Sequence, residues 1–133
     1  MIQQIAHVTV LVTDYDEAIA FYTQQLGFRL LTDTPLGEGK RWVLVAPGGP
    51  GGPALLLAQA DGPAQQSQVG KQAAGRVFLF LTTDDFWADY QRLRANGVAF
   101  QEMPREEAHA TVVVFADLCG NLWDLLQPKP AHS

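Results

Sequence analysis

The chain repeats a pattern at about half its length, and this repeat constrains the fold more than any other feature. Tyr22 and Gly27 in the first half match Tyr90 and Gly97 in the second half, with similar residues around each pair. Repeats of this length arise when one supersecondary unit occurs twice. The sequence therefore predicts two copies of one structural module within the 133 residues.

Each half reads as strand, helix and three further strands. In the first half, Asp14 is placed to cap a helix over residues 14–25, and Gly27 is placed to end it. In the second half, a helix is predicted over residues 84–96, ending at Gly97. The predicted strands lie at residues 5–12, 28–32, 41–46, 54–59, 76–81, 98–103, 111–116 and 122–126.

The pattern predicts an α+β fold made of two βαβββ modules in one domain spanning residues 1–133. Module 1 covers about residues 1–60, a polar linker follows over about 61–75, and module 2 covers about 76–133. One helix covers only one face of each sheet, so the other face must line a cavity or pack on something else. We expect a curved mixed sheet around a cup, with the helices on the outer face, and such a cup suits a small molecule.

Composition excludes several classes of function. The net charge of -5 argues against a nucleic-acid partner and is compatible with a cationic ligand. No apolar run is long enough to span a membrane, and the N-terminus lacks the pattern of a signal peptide. The single cysteine, Cys119, cannot form a disulfide within the chain, so we expect a reducing cytoplasm.

The last strand carries an unusual carboxylate. Asp117 and Gly120 bracket a tight turn, after which Asp124 stands in an apolar run. Because side chains alternate along a strand, Asp124 and Trp123 are expected on opposite faces, with Trp123 in the core. Trp87, on the second helix, is also expected in the core. A carboxylate on an apolar face requires an ionic partner, a metal or a wet cavity.

Four segments together carry a family resemblance. They are IAHVTV at residues 5–10, AFY at 20–22, LGF at 26–28 and DLCGNLWDL at 117–125. With the repeated module, they resemble the vicinal oxygen chelate superfamily. That superfamily includes lactoylglutathione lyases, extradiol dioxygenases, fosfomycin-resistance thiol transferases and bleomycin-resistance proteins.

The resemblance implies a site inside the cup, built from the first and last strand of each module. Metal-dependent members bind one divalent ion there, and the matching positions in this chain are His7, Leu57, Arg76 and Asp124. Only His7 and Asp124 could be metal ligands, because leucine has no donor atom and arginine is a fixed cation. We therefore expect no cofactor, and an Arg76–Asp124 pair in the cup with His7 within reach. In the alternative interpretation, His7 has no function and Arg76 is a cation at the rim.

Further candidate ligand-binding residues follow from the predicted strands. Trp42 would be a stacking wall for a flat ligand or a core residue. Phe78 shares a predicted strand face with Arg76 and Phe80, which suggests an aromatic lining. His109 would reach the mouth of the cup or lie in an exposed loop. Leu57, at the remaining family position, is expected to line the same cup.

Two classes of function remain. The first is a metal-free protein that binds or sequesters a small molecule, as bleomycin-resistance proteins do. The second is an enzyme of the lactoylglutathione-lyase or dioxygenase type, which in its metal-dependent form would use Zn, Ni, Fe or Mn for lyase, isomerase or dioxygenase chemistry. The resemblance implies a homodimer, which would also cover exposed strand edges. No nucleic-acid or membrane partner is expected.

Overall fold

The computed structural model describes residues 1–130, which form two compact units. Unit 1 is Met1–Gly70, and unit 2 begins at Lys71. Each unit contains its own mixed sheet with a helix between the first two strands. The prediction of an α+β fold built from two βαβββ modules is confirmed.

Unit 1 contains a four-stranded sheet in the order β1-β4-β3-β2, in which β1 and β4 are parallel and the other pairs are antiparallel. Helix α1 continues directly into a π-helical turn. The elements are β1 (His7–Val12), α1 (Tyr15–Ala20), the π-helical turn (Phe21–Gln25), β2 (Arg29–Gly37), β3 (Lys40–Ala46), β4 (Ala54–Gln59) and α2 (Gly62–Gln66).

The predicted signals at both ends of the first helix are present. The Asp14 carboxylate accepts a hydrogen bond from the backbone N–H of Glu17 at 2.8 Å, as an N-cap does. Gly27 follows the helical segment with φ of 79°, a conformation that glycine adopts without strain. Helix α1 packs on β3 and β4. The side chains buried in this unit include Val10, Ala18, Tyr22, Val43, Val45 and Leu57.

Unit 2 contains a sheet in the order β5-β9-β8-β6, and the short strand β7 also pairs with β8. Strands β5 and β9 are parallel, as β1 and β4 are in unit 1. The elements are β5 (Val77–Thr82), α3 (Phe86–Ala95), β6 (Ala99–Phe100), β7 (Arg105–Glu106), β8 (Ala110–Ala116) and β9 (Leu122–Pro128).

Helix α3 begins after Asp85, whose carboxylate accepts a hydrogen bond from the Ala88 N–H at 3.3 Å. It packs on β9, and Trp123 lies in the core as predicted, with an exposed fraction of 2%. The prediction for Trp87 was wrong, because 51% of this residue is exposed. Its neighbour Phe86 takes the buried position on the first helical turn.

Two segments differ from the predicted pattern. The strand expected over residues 98–103 is reduced to β6, and the chain forms β7 beyond Pro104 instead. Proline has no N–H to donate and therefore interrupts a ladder. The expected linker over residues 61–75 contains the short helix α2 and several turns. Between residues 1 and 130, no helix has the length and apolar character needed to cross a membrane.

Candidate functional site

Each sheet has one face covered by its own helix and a second face, which we call the helix-free face. Side chains alternate along a strand, and residues paired across two strands share a face. In unit 1, the pair Val10–Leu57 is buried on the helix-covered side. The helix-free face of unit 1 is formed by His7, Thr9, Trp42, Leu44 and Leu56.

An aromatic pair stands on the helix-free face of unit 1. The ring centroids of His7 and Trp42 are 5.9 Å apart, with an angle of 75° between the planes. Trp42 is 37% exposed, and His7 is also exposed. This geometry leaves aromatic surface available for a flat ligand, and it places an imidazole beside the indole. The structure therefore puts two of the predicted residues together, and Trp42 is not a core residue.

Leu57 does not lie on this face. Its side chain is fully buried on the helix-covered side, with Val10 and Val43 as its strand partners. Leu56, one residue earlier, pairs with Thr9 and Leu44 and takes the position on the helix-free face. The predicted lining residue in β4 is thus displaced by one position. The chemistry is unchanged, because both residues are leucine.

Asp124 lies on the helix-free face of unit 2 between two apolar neighbours. Its strand partners are Phe80 on β5 and Val114 on β8. The Oδ1 atom is buried and has no hydrogen-bond partner among residues 1–130. Burial raises the pKa of the Asp124 carboxyl above its usual value; the charge of Arg105 lowers it and that of Glu102 raises it.

The expected pair between Arg76 and Asp124 does not form. Arg76 is exposed and makes no ion pair within the described part of the chain. The reason is register, because Val77 pairs with Leu122, which leaves Arg76 before the start of β5. In the register of the two strands, Arg76 and Asp124 are therefore three residues apart along the strand direction, which corresponds to roughly 10 Å.

The positive charge that acts on the Asp124 carboxyl is the guanidinium of Arg105. The sequence did not indicate this residue as part of the site. Arg105 pairs with Val112, two residues from the partner of Asp124 on the same strand. Its Nε donates to both carboxylate oxygens of Glu102 at 3.0 Å, and its Nη1 donates to Glu107. A Glu102 oxygen also accepts from the Val114 N–H at 3.1 Å. The positive charge of Arg105 is therefore already balanced by carboxylates.

A bulge changes the expected aromatic lining in β5. Val77 pairs with Leu122 and Leu79 pairs with Trp123, so Phe78 is the additional residue and strict alternation is lost there. Phe80, beyond the bulge, is 61% exposed beside Asp124. The predicted common face of Phe78, Phe80 and Arg76 is therefore interrupted.

His109 is an exposed residue immediately before β8. Its carbonyl oxygen accepts a hydrogen bond from the Lys129 N–H at 2.8 Å. Five residues of chain separate it from Val114, the partner of Asp124, which is about 17 Å of strand. The structure therefore does not bring His109 to Asp124.

The turn before β9 is held by one buried carboxylate. Asp117 Oδ1 accepts from the backbone N–H groups of Cys119, Gly120 and Asn121 at 2.9–3.1 Å. Its Oδ2 accepts from the Asn121 side chain at 3.2 Å and from the Trp123 indole at 3.1 Å. Because Trp123 is fixed on the helix-covered side, the next residue is directed to the helix-free face. Cys119, the single cysteine, is partly exposed in this turn.

The match to a family model extends over most of the chain. Residues 4–125 match the family described as the Glyoxalase/Bleomycin resistance protein/Dioxygenase superfamily. The chain belongs to this superfamily.

Individual proteins of known sequence or structure are similar over nearly the full length. An uncharacterized protein of Shewanella frigidimarina is 55% identical over 96% of this chain and 95% of its own length. The crystal structure of UcmS2 superposes with a TM-score of 0.82, at 32% identity over 95% of this chain and 98% of that one. TnmS3, an antibiotic binding protein from Streptomyces sp. CB03234, gives a TM-score of 0.79 at 34% identity over 96% of this chain and 98% of its own.

The superfamily includes metal-dependent members. The side chains at the matching positions of this chain can therefore be compared with the ligands that a divalent metal ion requires. Leucine occupies the β4 position whichever of Leu56 and Leu57 is chosen, and Arg76 has only donor N–H groups. Residues 1–130 contain no group of three or more His, Cys, Asp or Glu side chains that could hold a metal ion. These residues do not fit the four-ligand divalent site of the metal-dependent superfamily members.

Proposed function

We propose that this protein binds a small, flat organic molecule and sequesters it without using a metal. The observation that carries the proposal is the exposed Trp42 indole, packed edge to face against His7 on the helix-free face of unit 1. An indole in that position supplies a large rigid surface for stacking at a low cost in conformational entropy. The proposed ligand-binding residues, all in unit 1, are His7, Trp42 and Leu56.

Two further observations support binding over metal chemistry. TnmS3, which is 34% identical over nearly the whole chain, is an antibiotic binding protein. Two of the four positions that hold the ion in metal-dependent relatives carry leucine and arginine, which do not coordinate a divalent cation. An antibiotic or a similar aromatic compound is therefore the proposed class of ligand.

Isothermal titration calorimetry of the full-length protein tests the proposal. The probes are metal-free bleomycin and daunorubicin, a planar aromatic antibiotic. We expect saturable binding of at least one probe. Trp42→Ala and His7→Ala should each weaken it, with a loss of roughly tenfold or more for the tryptophan, as is usual for an aromatic anchor that a ligand covers on binding.

Trp87→Ala is the matched control, because Trp87 is also an exposed tryptophan but lies on helix α3. This variant should bind like the wild type. Lack of saturable binding by both probes would contradict the proposal. Stoichiometric uptake of Zn, Ni, Fe or Mn that is lost in His7→Ala would instead support the metal-dependent lyase, isomerase or dioxygenase.

We also propose a homodimer that works in the cytoplasm. Two-module members of the superfamily commonly form dimers. In addition, the outer strands β1 and β2 of the unit 1 sheet have unpaired edges within that sheet, which a second chain could cover. Light scattering at micromolar concentration should give twice the 14.5 kDa chain mass. A monomer mass that persists in the presence of a bound probe would contradict this assembly.

A further inference from the structure

The helix-free face of unit 2 holds a carboxylate with unused capacity to accept hydrogen bonds. Asp124 Oδ1 is buried without a partner, and no ion pair to Asp124 is present in residues 1–130. A buried carboxylate oxygen that accepts no hydrogen bond is costly, so folding alone does not account for the presence of Asp124. The carboxyl torsion is soft, so either oxygen can turn towards a donor that approaches the partly exposed side chain.

The charges around Asp124 do not neutralise it. Arg105 is the nearby guanidinium, but Glu102 engages it through both carboxylate oxygens and Glu107 engages it a second time. The Glu102 carboxylate is itself tied to the Val114 N–H. Two carboxylates therefore engage the one guanidinium, and Arg105 makes no ion pair with Asp124 in residues 1–130.

An exposed aromatic ring lies next to this carboxylate. Phe80 is the strand partner of Asp124 in the parallel pair β5–β9, where neighbouring strands are about 4.8 Å apart. The ring is 61% exposed and is therefore available to a ligand. Neutral aromatic surface beside an uncompensated negative charge favours a flat cation, because the ring can stack while the carboxylate accepts an N–H.

We propose that Phe80 and Asp124, both in unit 2, form a subsite for a positively charged, flat ligand, with a ligand N–H donating to the Asp124 carboxylate. The subsite deepens the proposed small-molecule binding and rests on it. It selects among ligands by charge and by the presence of a donor. The ligand class is thus a protonated aromatic amine or amidine, in preference to a neutral or anionic ring of the same size.

Three probes of one ring size test this selection. They are 9-aminoacridine, which is a flat cation with N–H donors, acridine, which is neutral at pH 8, and acridine-9-carboxylate, which is an anion. Calorimetry at pH 8 with the full-length wild type should give an affinity order of cation, neutral ring and anion. The first step should be at least about tenfold, as expected for a charge-assisted hydrogen bond.

Variants separate the two parts of the subsite. Asp124→Asn should reduce the preference for 9-aminoacridine over acridine to less than about threefold, because the charge is lost and the shape is kept. Phe80→Ala should weaken both probes and keep the preference. Asp84→Asn is the control, since Asp84 is an exposed carboxylate whose side chain makes no described hydrogen bond, and it should change neither.

Several outcomes would overturn the subsite. Equal binding of cation and neutral ring by the wild type would do so, as would a preference that survives in Asp124→Asn, or binding of none of the three probes. Equal binding of acridine and 9-aminoacridine that is lost in Trp42→Ala would leave the proposed function intact while removing the subsite. Failure of these probes together with bleomycin and daunorubicin would remove both.

Discussion

The indole N–H of Trp123 donates a hydrogen bond to Asp117 Oδ2 at 3.1 Å and links the turn to the first residues of β9. Both residues are almost fully buried, with exposed fractions of 2% and 6%. Because Asp124 directly follows Trp123, the Asp117 carboxylate in the turn positions the Asp124 carboxylate on the sheet. Changes at Asp117 should therefore affect both stability and the helix-free face.

Asp117→Ala should lower the free energy of unfolding by about 3 kcal/mol or more, because it leaves several buried N–H groups without an acceptor. Urea unfolding measured by fluorescence would give this value. Asp84→Ala is the comparison, because Asp84 is exposed, and it should stay within about 0.5 kcal/mol of the wild type. Similar losses in the two variants would show that the Asp117 network does not stabilise the turn.

Gly120→Ala should destabilise the same turn through the backbone alone. Gly120 has φ of 102°, and an added Cβ would meet no atom within 4 Å, so the cost of about 1–2 kcal/mol would come from backbone conformation. Gly48→Ala is the matched control, because Gly48 has an ordinary φ and its nearest Cβ contact is the Arg29 side chain at 3.8 Å. Thermal unfolding should separate the two variants clearly.

Asp124→Asn should stabilise the protein at neutral pH, because a partly desolvated charge is removed. Burial holds the pKa of Asp124 above its unfolded value of 3.8, so the folded state binds the proton more tightly than the unfolded state. The contribution of this group to stability is therefore greatest at low pH and is lost as pH rises through the folded pKa. The gain from Asp124→Asn should thus be larger at pH 7 than at pH 4.

Urea unfolding at the two pH values measures this difference, with Asp84→Asn as the exposed control. A gain of equal size at both pH values, or a loss at pH 7, would contradict the prediction. If Asp124→Asn is more stable than the wild type but less selective for the cationic probe, Asp124 favours ligand binding and reduces the stability of the fold.

Leu57→Ala and Leu56→Ala test the register of β4. Leu57 is fully buried on the helix-covered side, so its truncation should cost about 3 kcal/mol of unfolding free energy. Leu56 lies on the helix-free face and is only partly buried, so its truncation should cost about 1 kcal/mol. Probe binding should respond in the opposite order once the variants are compared under conditions where both are folded.

The modules and their helices could be predicted because their signals are local. Asp14 and Gly27 mark the two ends of the first helical segment, and the opposite faces of Trp123 and Asp124 follow from strand alternation alone. The choice between Leu56 and Leu57 could not be made in this way. Three consecutive leucines contain no alternation, so the sequence does not indicate which one faces the helix.

The charged residues near Asp124 could not be predicted because they depend on long-range register. The bulge at Phe78 shifts the pairing of β5, and the strand starts only at Val77, so that Arg76 lies before it; nothing in the local sequence marks either feature. Glu102 is in the strand predicted over residues 98–103, whereas Arg105 lies beyond Pro104, so the sequence gives no reason to pair the two side chains. Only the pairing of β7 with β8 brings Arg105 towards Asp124.

Strand alternation also divides the chain into positions with different mutational tolerance. Trp123 and Asp124 are adjacent in sequence, yet the first is buried in the core and the second lies on the opposite face with one carboxylate oxygen unpartnered in residues 1–130. Substitutions at the second kind of position can alter which compound is bound while the folding of each unit continues to depend on the first kind. Deletion of Leu122, the residue between Asn121 and Trp123, would not have such a selective effect. It would move every later residue of β9 to the other face of the sheet, so that Trp123 and Asp124 would exchange faces.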